Sequence, residues 1–172
     1  MGQYARAEPL YLRTIAIDEK VLGPAHSTTG ARISNLGLLY WQTGHYAKAE
    51  ALHLRAIAIS EKAQGVDHPA TGIRLNNLGL TYQAMGQYAK AEPVYLRALQ
   101  IAEKALGANH LSTGIRLQNL AALYQLMGQY AKSEPLSQRA LAIAEKGLGP
   151  NHPDVGINLN DLGLPPGARA TH

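Results

Sequence analysis

Between Gly72 and Tyr82 the residues Gly72, Leu75, Leu78, Gly79 and Tyr82 fall at steps of three and four, the spacing that gathers side chains on one face of an α-helix. The same stripe returns as Gly30, Ile33, Leu36, Gly37 and Tyr40, and again as Gly114, Leu117, Leu120, Ala121 and Tyr124. After Gly86 a second amphipathic run, Tyr88 to Lys104, sets Ala91, Val94, Ala98 and Ile101 on one face and turns Arg97 and Lys104 toward solvent. Each unit therefore reads as two helices joined at a glycine. Small residues at two points of the first stripe allow helices to approach closely, which offsets the ~1 kcal/mol that glycine costs inside a helix.

The pattern recurs with a fixed period. Gly-x-Tyr-Ala stands at Gly2, Gly44, Gly86 and Gly128, each 42 residues after the last. Arg13, Arg55, Arg97 and Arg139 keep the same register, as do His26, His68, His110 and His152, and Asn35, Asn77, Asn119 and Asp161. One helical hairpin cannot bury its apolar side alone, so the copies are expected to stack as one cooperative body. The array spans residues 1–164, with hairpins at about 25–64, 67–106 and 109–148, unpaired helices at about 5–21 and 153–164, and an irregular tail at 165–172. Connectors such as Gly65-Val-Asp-His-Pro69 end one helix at glycine and open the next near proline. Pro9, Pro93 and Pro135 sit about one turn into the second helices, and the tyrosine of each Gly-x-Tyr is expected in the core at the hairpin turn. Met1-Gly-Gln-Tyr matches the interior segments at Met85 and Met127, while Pro165-Pro-Gly follows the last apolar run. The chain thus reads as a fragment of a longer array or a product of truncation, with end-to-end association or fraying expected of its open faces.

Composition narrows the class. Hydrophobic residues make up 46% and charged residues 16%, a folding composition. No apolar run approaches the ~18 residues of a membrane span, and no leader pattern follows Met1, so a soluble cytoplasmic protein is the expectation. The absence of cysteine excludes a disulfide framework and a thiol nucleophile. A net charge of +4, spread along the repeat, mildly favours acidic partners.

Asn77-Leu-Gly-Leu-Thr-Tyr82, Gly86-Gln-Tyr-Ala-Lys-Ala-Glu92 and Leu96-Arg-Ala-Leu99 together resemble the tetratricopeptide repeat. The 42-residue unit and its Glu-Lys-x-x-Gly-x-x-His-Pro connector look like the longer repeats of kinesin light chains and of bacterial signalling proteins. The resemblance implies an all-α fold, a right-handed α-solenoid of antiparallel helix hairpins, that binds a segment of another protein in its concave groove. Departures occur at the position of Tyr11 and Tyr95, which is His53 in the second unit and Ser137 in the fourth, and at Thr14, where a small alanine is usual.

Asn77 lies opposite the core stripe, aligned with Ile73, Leu80 and Ala84. The corresponding residues are Ala31, Asn35, Leu38 and Gln42, then Ile115, Asn119, Ala122 and Leu126. First helices of tetratricopeptide-like arrays line the concave side, so the resemblance places this ladder in a groove. Asn35, Asn77 and Asn119 can donate to and accept from a peptide backbone, while Leu38, Leu80 and Ala122 offer apolar contact. Arg32, Arg74 and Arg116 flank the ladder and could attract acidic residues. The alternative is that each asparagine bonds the neighbouring repeat and fixes stacking. The histidines are too far apart to share a metal and suit a loop role beside a helix start, and Lys20, Lys62, Lys104 and Lys146 suit helix C-termini. No phosphate-binding loop, zinc-protease motif or nucleophile elbow occurs, and no convergent carboxylate pair is evident. A catalytic role and a cofactor are not expected. Two rivals remain, a module of a larger signalling enzyme such as an ATPase and a helical-repeat reader of RNA, although Trp41 alone offers a stacking aromatic near the ladder.

Overall fold

The structure is a computed structural model that describes residues 2–152 and Val155, with side chains from Arg6 onward. Of the helix expected at 153–164 only Val155 is described, and the tail at 165–172 lies outside the described residues. Among the described residues there are seven helices and no strand: α1 (Gly2–Val21), α2 (Ser27–Gln42), α3 (Tyr46–Ala63), α4 (Pro69–Ala84), α5 (Tyr88–Leu106), α6 (Leu111–Leu126) and α7 (Tyr130–Leu148). The chain divides into two compact units, Met1–Ile101 and Ala102–His172.

In the first unit α2 packs along α3, α3 against α4, and α1 against α2. The core there gathers Ile15, Ile33, Leu36, Leu39, Tyr40, Ala49, Ala56 and Ile59, so the stripe read from the sequence is the buried face. Close approach is set at glycines. A methyl group on Gly30 would meet Ile59 at 2.8 Å, and one on Gly72 would meet Ile101 at 3.1 Å. On Gly37 it would meet the His53 ring at 2.6 Å, and on Gly79 the Tyr95 ring at 2.5 Å. The departures seen in the sequence thereby gain a reason. A ring on the second helix requires glycine on the first. In the second unit, where the matching positions are Ser137 and Ala121, the ring is gone and a methyl is present, and both residues are buried. Its other contact repeats the theme, with Gly114 against Ile143 at 3.2 Å.

Two turn types alternate. Within hairpins Gly44, Gly86 and Gly128 hold φ of 78°, 70° and 70°, the left-handed region that favours glycine. The next residue's N–H reaches back to the carbonyls of Tyr40, Tyr82 and Tyr124 at 2.8–2.9 Å, while each glycine N–H bonds the carbonyl one residue further on, closing a Schellman motif. Between hairpins, the carbonyls of Gly23, Gly65 and Gly107 each accept twice. They take the N–H of His26, His68 or His110 at 3.3 Å and the hydroxyl of Thr29, Thr71 or Thr113 at 2.8–2.9 Å. Each of these histidines then caps the following helix, its Nδ1 accepting from the N–H of Thr28, Ala70 or Ser112 at 3.0–3.2 Å. The expected loop role is thus more specific: an unprotonated ring nitrogen replaces the usual Ser, Thr, Asn or Asp oxygen.

A further register device runs along the second helices. Arg55 pairs with Glu19, Arg97 with Glu61 at 2.7 Å, and Arg139 with Glu103 at 2.6 Å. Arg97 and Arg139 also donate to the carbonyls of Val66 and Ala108. Partly exposed pairs of this kind contribute about 0–1 kcal/mol each, so they align helices more than they stabilise them. The hairpin tyrosines depart from expectation. Tyr46 and Tyr88 are half-buried, and Tyr130 is 69% exposed. Tyr40, Tyr82 and Tyr124 are the buried rings of the hairpins, and they receive Lys48, Lys90 and Lys132 over their faces at 4.8–5.4 Å.

Gly79→Ala should destabilise the protein by roughly 1–3 kcal/mol through overpacking against Tyr95, and Tyr95→Ser in the same chain should remove that overpacking. Urea denaturation of the two single variants and the double variant checks it: the two changes should cost less together than their sum. His53 supplies a second test. Its ring is fully buried and neither nitrogen has a partner, so burial pushes the imidazole down to about 4. The native ring is neutral, while the unfolded chain takes up a proton below its ordinary value near 6.5. The contribution to stability is therefore complete above pH 6.5 and lost as pH falls toward 4, by ~3 kcal/mol at most. Stability of the wild type and of His53→Leu, measured by urea denaturation at pH 7.5 and pH 4.5, should show a steeper acid loss in the wild type. Equal losses would contradict the assignment.

Candidate partner-binding surface

Helix rotation sets the ladder opposite the buried stripe, and the first unit carries two rungs of it on α2 and α4. On α2, Ala31, Asn35 and Gln42 are exposed and Leu38 is half-buried. On α4, Ile73 and Ala84 are exposed and Leu80 is half-buried. Asn77 differs: it is buried, and its Nδ2 donates to Ser34 Oγ on α2 at 3.3 Å. Trp41 makes another bond between these helices, its indole N–H donating to the carbonyl of Leu80 at 3.2 Å. Asparagines at matching positions thus do different things. Asn35 presents its amide to solvent, whereas Asn77 couples α4 to α2. In the second unit, Ile115 and Leu126 on α6 are exposed, Ala122 is half-buried, and Asn119 is half-buried and engaged.

The arginines are placed differently from the sequence expectation. Arg32 remains on the surface but pairs with Asp18 at 2.7 Å. Arg74 is buried, and its guanidinium donates to Ser60 Oγ at 3.2 Å and to the carbonyls of Ala70 and Ser27 at 2.9 and 3.5 Å. Arg116 is buried in the same fashion and donates to the Ser112 carbonyl at 2.8 Å. Burial pushes both guanidiniums below their usual range. The physical reason lies four residues upstream: first-turn carbonyls of α4 and α6 satisfy an arginine that folds back along its own helix. A free cationic row beside the ladder is therefore not what this arrangement presents. Ala31, Asn35, Leu38, Gln42, Ile73, Asn77, Leu80 and Ala84 are all uncharged, so these positions of the first unit carry amides and aliphatic groups.

Ser34 and Ser60 were not visible as site residues in sequence. Ser34 shares its register position with Asn76, Ser60 lies opposite Thr71 with hydroxyls 2.8 Å apart, and neither follows a motif. Among the described residues no group of three His, Cys, Asp or Glu side chains could hold a metal ion. No helix of the described residues is long and apolar enough to cross a membrane.

Two-helix units repeated at 42 residues, closed by glycine turns and packed through small residues, define a helical-hairpin repeat protein. A family model of the tetratricopeptide repeat matches residues 1–62, 31–104, 72–146 and 115–164, and the chain belongs to that family. Its fold is similar to nearly identical TPR-like repeats assigned to a kinesin light chain of Podosopora anserina. The TM-score is 0.77 and the identity 28%, over 94% of this chain and 76% of that one. A point variant of those repeats matches at TM-score 0.79 and 27% identity over the same shares. BtubC (BKLC) from P. vanneervenii shares the fold at TM-score 0.83 and 24% identity, over 94% of this chain and 65% of that one. Among curated proteins, none matches.

Proposed function

We propose that the chain is a non-catalytic scaffold that binds an extended segment of another protein on the ladder face. The family's repeat architecture supports the scaffold reading, since such folds act through surfaces and not through reacting groups. The observation that carries the peptide reading is that the two ladder helices of the first unit each expose an uncharged side chain, the amide of Asn35 on α2 and the aliphatic Ile73 on α4. An amide can donate to and accept from an extended backbone, while an aliphatic group beside it receives an apolar side chain. Acidic residues on the partner gain little on this face, because Arg32 is already paired and Arg74 is buried. The favoured segment is uncharged, with apolar residues along it. Asn77 serves by holding α4 to α2, which fixes the distance between the two rungs.

A peptide-array screen of the purified chain supplies the ligand, and calorimetric titration of the best peptide tests the assignment. Asn35→Ala should weaken binding by roughly 1–3 kcal/mol with unchanged thermal stability, the usual cost of leaving a polar partner unpaired. Asn77→Ala should instead lower thermal stability, by about 1 kcal/mol for the lost bond. Unchanged affinity in both Asn35→Ala and Ile73→Ser would remove the ladder from the binding site.

A further inference from the structure

Trp41 is the sole tryptophan of the chain, and it breaks the repeat, since its register equivalents are Gln83 and Gln125. In the α4–α5 hairpin that position is a structural joint, because Gln83 Oε1 accepts from the Tyr95 hydroxyl at 3.0 Å. The α2–α3 hairpin has no such joint. His53 stands where Tyr95 stands, neither of its ring nitrogens has a partner, and Trp41 stands where Gln83 stands. Position 41 is thus released from bonding within its own hairpin.

The indole turns instead to the neighbouring hairpin of the first unit. Its N–H donates to the Leu80 carbonyl on α4 at 3.2 Å, which sets the ring between α2 and α4 beside a ladder residue. Leu38 lies one turn before Trp41 on α2, within side-chain reach. Part of the ring packs against the core of the first unit, and Trp41, Leu38 and Leu80 are all half-buried. Indole has one N–H and no acceptor, so with that N–H given to Leu80 the ring can meet a ligand only through its apolar face.

We infer that Trp41 is a specificity-determining contact of the ladder face: with Leu38 and Leu80 it receives one aliphatic side chain of the extended segment. Asn35 and Gln42, exposed about one turn on either side of Leu38, hold the backbone of that segment. The inference rests on the peptide-binding reading above and adds to it the place and chemistry of one anchor. A polar side chain seated here would lose its water and gain no hydrogen bond from the ring, which selects an apolar occupant. A tryptophan with one side packed and the other wet is well suited to carry affinity at an interface.

Fluorescence of the full chain tests this, because Trp41 is its only tryptophan. Saturation with the best peptide from the array screen should shift the emission to shorter wavelength and reduce quenching by acrylamide. Trp41→Gln, which follows the two later repeats, should keep the helical circular dichroism and weaken binding by roughly tenfold. Trp41→Phe keeps an apolar ring without the N–H, so its affinity should stay within about threefold of the wild type. Serine substituted in turn for each apolar residue of the peptide should identify one position whose loss of affinity, roughly tenfold against the wild type, vanishes against Trp41→Gln. A purely structural role for Trp41 would show no such coupling. Unchanged quenching at saturation overturns the inference, as does full affinity in Trp41→Gln; with Asn35→Ala still weakening binding, the peptide reading then stands without this anchor. Tighter binding of lysine than of leucine at the coupled peptide position also overturns it, because the ring face would then be taking a cation.

Discussion

The close approach of helices at glycine is the constraint on which the rest of this structure depends. At Gly30, Gly37, Gly72, Gly79 and Gly114 a single methyl group would sit 2.5–3.2 Å from a side chain of the packed helix. Such contacts draw one helix onto the next over its whole length and bury the intervening leucine and isoleucine side chains. They also explain why the opposing residues vary so much. His53, Tyr95 and Ser137 share one position, and the space each finds is set by whether Gly37, Gly79 or Ala121 lies opposite. Buried imidazole and phenol groups are tolerated there at unequal cost. Tyr95 donates to Gln83 Oε1 at 3.0 Å, while His53 finds no partner and stays neutral.

Once helices are that close, the ends must be finished without wasted polar groups. The inter-repeat connector does so with three residues: a glycine whose carbonyl accepts twice, a histidine that both donates its N–H to that carbonyl and caps the next helix, and a threonine that returns to the same glycine. Each connector therefore ties the end of one hairpin to the start of the next, and the Arg–Glu ladder repeats the alignment on the second helices.

These devices leave the opposite side of the first helices free of structural duty at some positions and not at others. Where Asn77 and Trp41 bond across α2 and α4, polar groups that could have met a ligand hold the helices together instead. Where Asn35 and Ile73 are exposed, the surface stays available. Burial of Arg74 in the first unit, and of Arg116 in the second, takes each guanidinium out of solvent.

Much of the fold was legible in the sequence, because a hydrophobic stripe at helical spacing repeated at 42 residues specifies both the element and its neighbour. The number of helices in each repeat, the buried stripe and the glycine turns follow from periodicity, a local property. The division of labour among matching residues did not follow. Arg32, Arg74 and Arg116 occupy one register position, yet Arg32 meets Asp18 on α1 while Arg74 turns inward to Ser60 and the carbonyl of Ser27, contacts that depend on which side chain the neighbouring helix carries. Asn35 and Asn77 likewise differ because Asn77 has Ser34 of α2 within reach. In the sequence the histidines suited only a loop role beside a helix start, and arginine as a rung between repeats was present only as a register. Their partners are a backbone N–H two residues on and a carboxylate 36 residues back, and only the packed tertiary structure brings that carboxylate within hydrogen-bond distance. Periodicity determines which face of a helix is buried, and tertiary packing decides what each polar group on the remaining faces meets.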